Sequence, residues 1–454
     1  MADAGQGRET ESLNGWWHTW LDEAVDWEAE TPLPPDTPAD LLPRRAPSAG
    51  WDGMEWGMES TRVPGTLVQA RPGYRGVAWQ WRPIVIPEGW EGRTVGIRFG
   101  GARQRVEVYL DDRPVGYDID GLTPFTVDLT PYVRPGRQYE LALRVTNPGG
   151  WRADEEGGAI PWGEVALPGS RDVGGLWGGV SLVALPSLHL HDIVVLPGAA
   201  PHEVVARVTL RNTGELAMAE VRLSAQDAEG HPVVASDEAT VAVPAGGVAD
   251  LTLPLPIAAR RRWTPEDPYL TRVVAEVRSY HGADRLGGPL GLRGVAVRDG
   301  RLLLNGAPIA PTMGATTGGS VEGQAVPLTA ADAERVVAQA LSAGTGGLVA
   351  QGWPAPPTLL DAADRLGLPV VQTLVGVGDP TGVPAAARGL YEALARDRVR
   401  RLIRRDRNHP SVVAWRLAVP RDATVFAAYA RLVHDEDPTR PVVSVDELAM
   451  GSAR

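Results

Sequence analysis

The chain of 454 residues is 43% hydrophobic and 22% charged, which is the composition of a globular protein with two or three domains. Its formal net charge of −12 argues against nucleic acid or an anionic membrane as a partner. Because the sequence has no cysteine, no secretory signal and no run long enough to span a membrane, it excludes disulfides and thiolate metal sites and predicts a cytoplasmic protein.

Short alternating runs dominate the first third of the chain. Four of them, each predicting a strand, are RTVGIRFGG (93–101), QRVEVYLDDRPVGY (104–117), TPFTVDLTPYV (123–133) and QYELALRVTN (138–147). Turn residues separate these runs at short intervals, which is typical of an antiparallel sandwich or jelly roll. The opening segment 13–30 predicts a helix that passes into a Pro-rich loop. We therefore expect a jelly-roll sandwich domain over residues 1–186.

The alternation continues from residue 187 to residue 297 with almost no tryptophan. Apolar and polar residues alternate in DIVVLPG, EVVARVTLRNTG, AEVRLSAQDAEGHPVV, GGVADLTLPLPI and LTRVVAEVRSY. About seven short strands in roughly a hundred residues are typical of an immunoglobulin-like sandwich. We expect this second β-sandwich to occupy residues 187–297.

The period changes in residues 298–454, where helices alternate with apolar strands. Residues 329–344 predict an amphipathic helix with a Thr cap and a Gly stop. Further helices are predicted at 357–367, 385–406 and 424–437. Fully apolar strands between helices indicate parallel βα units that are buried on both faces. The pattern predicts about four βα units and a fifth strand, which is part of a TIM-type barrel. The fold class is therefore multidomain β plus α/β.

Eight short motifs follow one another along the chain. They are VPGT (63–66), YRGVAWQWRPIVIP (74–87), FGGARQRVEVYLDDRPVG (99–116), DGLTPFTVDLT (120–130), RDVGGLWGGVSLV (171–183), WTPEDPYL (263–270), LNGAPI (304–309) and RDRNHPSVVAW (405–415). In this order they resemble glycoside hydrolase family 2, the β-galactosidase, β-glucuronidase and β-mannosidase group. The resemblance implies a galactose-binding-like jelly roll, an immunoglobulin-like domain and a TIM barrel.

The resemblance also locates the two carboxyl groups that a retaining glycosidase needs. In the family, the acid/base glutamate follows an asparagine at the end of barrel strand four. The matching residues here are Pro420 and Val419, neither of which has a proton to donate. The family's nucleophile follows strand seven, which lies beyond the last residue of this sequence. The resemblance therefore implies a truncated and catalytically degenerate member.

Other sugar-facing positions of the family have also lost their polar residues. The strand-one histidine motif becomes residues 314–318, the strand-two motif contributes Gly352 and Trp353, and the acidic end of strand three becomes Gln372 and Thr373. The apolar scaffold between these positions is intact. This pattern favours a loss of selection for glycoside hydrolysis.

Candidate site residues follow from their places after the predicted strands. The candidate catalytic carboxylates are Asp422, Asp446 and Glu447. The candidate ligand-binding residues are Trp162, Thr316, Thr317, Gln351, Trp353, Gln372, Thr373 and Arg416. Base rates for charged residues favour an exposed acidic loop end over a catalytic role for the carboxylates, and packing is the alternative role for both tryptophans. We expect no metal and no cofactor, since neither a metal-ligand cluster nor a phosphate loop is present.

Two further features are interpreted as structural. His409 belongs to a His-Pro turn that leads into strand four in the family, so we expect it to hold that turn. The arginines of residues 398–407 are interpreted as the solvated face and last turn of a helix, where the helix dipole favours cations.

Three hypotheses on function remain open. The first is a repurposed protein that binds a sugar-like or bulky apolar small molecule and catalyses a cyclisation or rearrangement, as in small-molecule biosynthesis. The second is a non-catalytic carbohydrate-binding or partner-binding pseudoenzyme. The third is a residual β-glycosidase that uses a substitute carboxylate. Because five strands cannot close a barrel, the open side needs a cover from a second copy, from a different chain or from the amino-terminal sandwich, and of these we expect a homodimer.

Overall fold

The computed structural model describes most of the chain. The described residues are 7–150, 159–163, 165–168, 174–197, 203–226, 231–257, 261–315, 320–321, 324–325, 328–351, 353–376, 383–417 and 423–444. Across these ranges, none of the helices combines the length and the apolar run that a bilayer crossing would require.

The amino-terminal part is built from short strands. They are β1 (Glu9–Ser12), β2 (Gly15–Asp22), β3 (Glu59–Val63), β4 (Gly76–Val85), β5 (Thr94–Phe99), β6 (Arg105–Leu110), β7 (Arg113–Asp118), β8 (Phe125–Asp128), β9 (Gln138–Asn147), β10 (Ala159–Trp162), β11 (Val165–Pro168) and β12 (Val180–Leu185). Single-turn 3-10 helices lie at Trp27–Ala29, Ala39–Leu41, Asp52–Glu55, Leu67–Gln69 and Glu88–Trp90.

Two antiparallel sheets of these strands form a sandwich. One sheet has the order β1-β12-β5-β8 and the other has the order β3-β2-β4-β9-β6-β7, while β10 and β11 form a separate hairpin. Side chains from both sheets meet in one core, in which Ile97, Phe99, Val106 and Leu143 are completely buried. The alternation in the sequence is therefore the alternation between this core and the outer faces, and the predicted jelly-roll class is confirmed.

The helix predicted at the start of segment 13–30 is wrong. Residues Gly15–Asp22 form β2, which pairs with β3 on one side and β4 on the other. Along β2 the side chains alternate, so that Trp17 is buried whereas Trp16 is 62% exposed. Aromatic residues fit a pleated surface well, and the two neighbouring strands satisfy the backbone groups of β2. Pairing with distant residues thus decided the structure of this segment.

The second sandwich contains eight described strands, close to the seven expected. They are β13 (Leu188–Pro197), β14 (Glu203–Asn212), β15 (Ala217–Gln226), β16 (Pro232–Ala235), β17 (Ala239–Val243), β18 (Val248–Pro256), β19 (Thr271–Ser279) and β20 (Gly282–Leu290). One sheet is β13-β14-β18 and the other is β16-β15-β19-β20, with β17 paired to β15. Alternate residues such as Val208, Leu210, Val221 and Leu223 fill the core between them. The immunoglobulin-like class is confirmed.

The remaining described elements are mostly strands and helices in alternation. They are β21 (Val295–Arg298), β22 (Arg301–Leu304), β23 (Ala307–Ile309), β24 (Thr312–Ala315), β25 (Ser320–Val321), β26 (Gln324–Ala325), α1 (Ala330–Ser342), β27 (Leu348–Gln351), α2 (Pro357–Leu366), β28 (Val370–Leu374), a 3-10 turn (Ala385–Ala387), α3 (Arg388–Asp406), β29 (Val412–Leu417), α4 (Ala423–Glu436) and β30 (Val442–Ser444). The sheet has the parallel order β24-β27-β28-β29-β30.

Local signals in the sequence set the ends of the helices. The hydroxyl of Thr329 accepts a hydrogen bond from the backbone N–H of Asp332 at 3.1 Å, which caps α1. Helix α2 ends at Gly367, whose φ of +82° is in the left-handed region. A Cβ there would also lie 2.4 Å from the carbonyl oxygen of Pro265, so glycine is required for close approach as well. The predicted Thr cap and the end of α2 are confirmed.

The parallel sheet is buried on both faces. Helices α1–α4 cover one face, where Leu348, Val370 and Trp415 pack against helical side chains. On the inner face, Val349 and Val371 pack against Leu302 and other residues of the small β21-β22-β23 sheet and Trp263. This small sheet closes the amino-terminal end of the inner face. A ligand-binding site is therefore expected at the carboxyl end of the sheet, which the small sheet does not cover.

Candidate functional site

The five parallel strands end at the same edge of their sheet. Their last residues are Ala315, Gln351, Leu374, Leu417 and Ser444. Barrel enzymes and open parallel sheets bind ligands at the carboxyl ends of the strands, where the loops can vary without disturbing the sheet. We therefore take this carboxyl edge as the candidate site. None of the described residues in the five strands carries a carboxyl group.

A polar pair lies on the inner face near this edge. Thr373 and Arg416 are opposite each other on β28 and β29, two residues beyond the apolar pair Val371 and Ala414. Arg416 Nη1 donates a hydrogen bond to Thr373 Oγ1 at 3.3 Å, and the Thr373 hydroxyl donates to the carbonyl of Ala350. Both side chains are buried. A polar layer thus stands on an apolar layer, as in the interior of a barrel.

The polar pair provides charge and hydrogen bonds rather than acid–base chemistry. A guanidinium offers several hydrogen-bond donors in a fixed planar arrangement, so Arg416 can orient or stabilise an anionic or polar group. The hydroxyl of Thr373 holds Arg416 in one orientation. The described part of the site is therefore suited to binding and positioning a ligand.

Gln372 does not face the candidate site. Its amide Nε2 donates to Asp406 Oδ2 on α3 at 2.5 Å and to the carbonyl of Ala355 at 3.2 Å, and its Oε1 accepts from the Ala355 N–H at 2.9 Å. The side chain is completely buried on the helix-facing side of β28. A ligand-binding role for Gln372 is therefore corrected to a structural one, because successive residues of a strand point to opposite faces.

Trp353 follows β27 at the carboxyl edge and packs against the amino-terminal sandwich. Its ring meets the ring of Trp177 edge-to-face, with centroids 5.6 Å apart and an interplanar angle of 79°. Leu122 and Val375 complete this cluster. Because Trp353 is only 7% exposed, packing is its main role in this structure. The cluster forms a wall where the sandwich meets the barrel, and contact of Trp353 with a ligand stays a prediction.

Trp162 is a packing residue between the sandwich and the barrel. It is 1% exposed, and its indole N–H lies within hydrogen-bonding distance of the carbonyls of Glu30, at 2.7 Å, and Trp27, at 3.0 Å. The guanidinium of Arg105 lies 4.7 Å from its ring centroid, and Leu394 of α3 belongs to the same cluster. Packing is therefore the role of Trp162 in this structure, and its contact with a ligand stays a prediction.

Several predicted site residues lie outside the described residues. They are the candidate carboxylates Asp422, Asp446 and Glu447, the threonines Thr316 and Thr317, and the Val419 and Pro420 positions. For Gln351 the backbone is described, at the end of β27, while its side chain is not. Their proposed roles stay predictions.

The interpretation of the arginines in 398–407 as a solvated face is wrong for part of the run. The side chains of Arg398 and Arg407 are 1% and 3% exposed, and Arg401 is 19% exposed. Arg398 Nε pairs with Asp120 Oδ1, and Arg401 Nη1 with Asp118 Oδ1, both at 2.6 Å. Both partners belong to the amino-terminal sandwich, so this face of α3 is docked against another domain.

We name the group Asp118, Asp120, Asp397, Arg398 and Arg401 the joint charge cluster. Desolvation by burial opposes ionisation of Asp120, but the attraction of Arg398 lowers its pKa to about 2. Desolvation by burial has the opposite outcome at Asp118, where it raises the pKa to about 6 in spite of Arg401. The two aspartates, two residues apart, therefore release their protons in different pH ranges, Asp120 near pH 2 and Asp118 near pH 6.

The helix periodicity contained a signal for this docked face. Leu394, Arg398 and Arg401 are spaced by four and three residues, so they lie on the same side of α3. Leu394 is buried against the sandwich hairpin, and the two arginines continue that side. The composition of the run concealed this pattern, because arginine is usually exposed.

His409 lies at the other end of the sheet, before β29. Its Nδ1 is 2.7 Å from Asp364 Oδ2, and Asp364 Oδ1 accepts the Ser411 N–H at 2.8 Å. Burial disfavours the charged ring, but Asp364 raises the pKa of His409. With Asp361 these groups bring three ligand-type atoms within 4.8 Å of one another, a grouping that the sequence did not predict. Both Asp364 oxygens already accept hydrogen bonds, so the group holds the turn into β29.

Comparison with known proteins agrees with this architecture. Residues 295–453 match the family description "Glycosyl hydrolases family 2, TIM barrel domain", and residues 60–160 match "Glycosyl hydrolases family 2, sugar binding domain". Together the two matches cover more than half of the chain, and their order is that of the domains in the structure.

Individual relatives are similar over most of this chain and longer than it. A β-glucuronidase of Paenibacillus borealis is 25% identical over an alignment of 398 residues, with 82% of this chain and 64% of that protein covered. The crystal structure of a Bacteroides uniformis β-glucuronidase has a TM-score of 0.75 at 20% identity, with 98% of this chain and 54% of that chain covered. A glycosyl hydrolase family 2 member from Bacteroides cellulosilyticus has a TM-score of 0.72 at 20% identity, with 97% and 59% covered.

The chain thus spans less than two thirds of the length of these relatives. The likeness to the solved structures concerns the fold, since the identities are low. Two domain descriptions of one family, matched in the order in which the sandwich and the barrel are built, show that the chain belongs to glycoside hydrolase family 2.

Proposed function

We propose that this chain does not hydrolyse glycosides by the two-glutamate mechanism and that it uses the carboxyl edge of the barrel sheet to bind a sugar-like or bulky apolar small molecule. The observation that carries the proposal is Pro420, which occupies the position of the family's acid/base glutamate. The residue before it, Val419, replaces the family's asparagine. Without a carboxyl group at this position, the leaving oxygen of a glycoside receives no proton from it.

The described surroundings of the site support binding over hydrolysis. Val371 and Ala414 form the apolar layer, and Thr373 and Arg416 form the polar layer above it. The small sheet covers the apolar layer, so a ligand at the carboxyl edge would meet the polar layer and be selected by a few hydrogen bonds. If a reaction occurs there, positioning is the available source of catalysis, since held reactants gain several kcal/mol without an acid or a base. A cyclisation or rearrangement fits this description.

The first experiment is a hydrolysis assay with 4-nitrophenyl β-D-galactoside, β-D-glucuronide and β-D-mannoside. We expect no release of nitrophenol above the rate in buffer. Release that is lost in Asp446→Asn, Glu447→Gln or Asp422→Asn would contradict the proposal and establish a residual glycosidase with a substitute carboxylate. Thr209→Val, a change in the immunoglobulin-like domain, is the control for effects of substitution alone.

The second experiment measures binding by the shift in melting temperature with methyl β-D-glycosides and with apolar glycosides such as octyl β-D-glucoside. A ligand at a hundred times its Kd stabilises the folded state by about 2.7 kcal/mol. We expect a shift in the wild type that is reduced in Arg416→Gln. Conversion of a bound ligand on incubation indicates an enzyme, and binding without conversion indicates a pseudoenzyme. A wild type that no probe shifts would oppose the binding proposal for these ligand classes.

A further inference from the structure

The joint charge cluster holds an unusual balance of charge for a buried place. It contains three carboxylates, Asp118, Asp120 and Asp397, and two guanidiniums, Arg398 and Arg401. When all five groups are ionised, the cluster has one negative charge in excess. An uncompensated charge away from water is costly, and a titratable group in such a place tends to be neutral.

Asp118 is the member of the cluster that can take up a proton, because one of its carboxylate oxygens accepts no hydrogen bond from the described residues. Its Oδ1 pairs with Arg401 Nη1 at 2.6 Å, whereas its buried Oδ2 has no hydrogen-bond partner among the described residues. The side chain is 4% exposed. The same Arg401 nitrogen also lies 3.3 Å from Asp397 Oδ2, so one cation serves two carboxylates.

In Asp120, by contrast, both carboxylate oxygens accept hydrogen bonds. Its Oδ1 pairs with Arg398 Nε at 2.6 Å. Its Oδ2 accepts hydrogen bonds from the backbone N–H of Leu122 at 3.1 Å and from the N–H and hydroxyl of Thr123, at 2.8 and 2.5 Å. Ionised Asp120 therefore orders residues 120–123, and Leu122 in turn packs against Trp353.

We propose that the joint between the sandwich and the barrel binds one proton, at Asp118, and that the protonated joint is the tighter one. A proton on Oδ2 of Asp118 removes the excess negative charge of the cluster. Oδ1 still accepts the hydrogen bond from Arg401. The pKa of Asp118, raised to about 6 by burial, agrees with this assignment.

The other charged groups near Asp118 do not alter the balance. On α3, Arg400 also acts on Asp397 but is 44% exposed and lies 4.0 Å from Glu436. On β6, Glu107 is opposite Tyr117, and Val106 is opposite Asp118, so the charges of β6 lie on the other face of the sheet. The excess negative charge of the cluster is therefore not compensated by these neighbouring groups.

The direction of the pH effect follows from the raised pKa. Asp118 titrates near its ordinary value of 3.8 when unfolded and near 6 when folded, so the folded protein binds this proton about a hundredfold more tightly. Its contribution to stability is complete below about pH 4 and is lost as the pH rises through about 6. Asp120 acts in the opposite direction, since its lowered pKa makes it stabilising above about pH 4.

The test compares melting temperatures of the wild type and Asp118→Asn at pH 5 and pH 7.5. The difference in melting temperature between the two proteins at each pH removes the contribution of all other titrating groups. Because asparagine imitates the protonated acid, we expect the variant to melt several degrees higher than the wild type at pH 7.5 and within one or two degrees of it at pH 5. Asp112→Asn, at an exposed aspartate of the same sandwich, should show no such difference.

A variant that melts lower than the wild type by the same amount at both pH values would overturn the proposal, because it would show that the joint needs the ionised carboxylate. A second measurement requires no variant. Native hydrogen exchange of the amides of residues 120–123, corrected for the intrinsic rate, should be several-fold slower at pH 5 than at pH 7.5. Equal corrected rates would also overturn the proposal, and amides of β14 in the other sandwich are the control.

Discussion

Asp437 shows at the scale of one residue how burial and hydrogen bonding set a charge. Its carboxylate accepts hydrogen bonds from the indole of Trp415 at 2.8 Å, from Arg440 Nη1 at 2.7 Å and from the Thr439 N–H at 3.0 Å. Desolvation by burial opposes ionisation, but Arg440 and these hydrogen bonds lower the pKa of Asp437 to about 2. The carboxylate thereby ties the turn after α4 to strand β29.

We expect Asp437→Asn to destabilise the protein in a pH-dependent manner. Because the pKa is lowered from 3.8 to about 2, the charged group contributes about 2 to 3 kcal/mol at pH 7, and this is lost as the pH falls through about 2. The difference between variant and wild type in the free energy of unfolding should shrink to about half by pH 3. Guanidinium unfolding at pH 7 and pH 3 measures it.

The control for this prediction is Asp267→Asn, which removes an exposed carboxylate that pairs with Arg261. Its midpoint should hardly change at either pH, since an exposed ion pair contributes little. A loss in Asp437→Asn that is equal at both pH values would show that shape rather than charge decides the role of Asp437.

The positions of Gln372 and Thr373 in the sequence did not show on which face of the strand each side chain lies. Both are polar, both lie near the end of the apolar strand β28, and both were candidates for ligand contact. The pleat separates them, so that Thr373 lies on the inner face with Arg416 while Gln372 bonds to α3. The strand itself was predictable from its apolar residues, but its orientation depended on which face the helices cover.

Helix α3 shows at the element scale that a charged helix is not always a solvated one. Its docked side carries Arg398, whose guanidinium bonds to the carboxylate and carbonyl of Asp120 and lies 3.2 Å from the carbonyl of Pro168. These contacts join residues 278 and 230 positions apart in the chain. The helix therefore fastens the barrel to the sandwich.

We expect Arg398→Met to cost about 3 to 5 kcal/mol, because it leaves Asp120 buried without its cation. The free energy of unfolding by urea at pH 7 measures this loss. In the double variant with Asp120→Asn, the second change should cost much less than it does alone, since the two residues act as a pair. Additive losses would contradict the pairing.

The matched control on another helix is Arg335→Gln in α1. Arg335 also pairs with an aspartate, Asp332, at 2.6 Å, but its side chain is 60% exposed. The expected loss is below about 1 kcal/mol, because solvent screens an exposed pair. The contrast between the two arginines isolates burial as the cause.

At the scale of the whole molecule, the barrel sheet has two outer strands. Among the described strands, β24 has β27 as its partner and β30 has β29, and each has its other side open. Exposed parallel edges are rare in soluble proteins, because they invite pairing with another chain. We therefore propose that a second copy of the chain covers this side of the barrel.

Light scattering on the purified chain tests the assembly. We expect about twice the 48.4 kDa of one chain, at all concentrations above the micromolar range. Substitution of exposed Val297 on β21, or of exposed Tyr280 in the turn between β19 and β20, should leave the mass unchanged. A monomer at high concentration would contradict self-association and direct attention to a different partner.

The sequence by itself determined the kinds of element, their order and the family. Alternating residues predicted both sandwiches, helical periodicity predicted α1 to α4, and eight motifs identified the family, because each of these signals is local and repeats along the chain. The sequence also predicts that Pro420 stands at the position of the family's acid/base glutamate. Physical rules of short range are sufficient for all of these.

Only the tertiary structure decided which side chains meet. It made β2 a strand through pairing with β3 and β4, turned Gln372 toward a helix, buried Trp162 and brought Arg398 to Asp120. Each of these outcomes depends on contacts between residues far apart in the chain. The energies of such contacts cannot be read from a short stretch of sequence. Burial and charge balance belong to the assembled domains, and so did every correction to the predicted site.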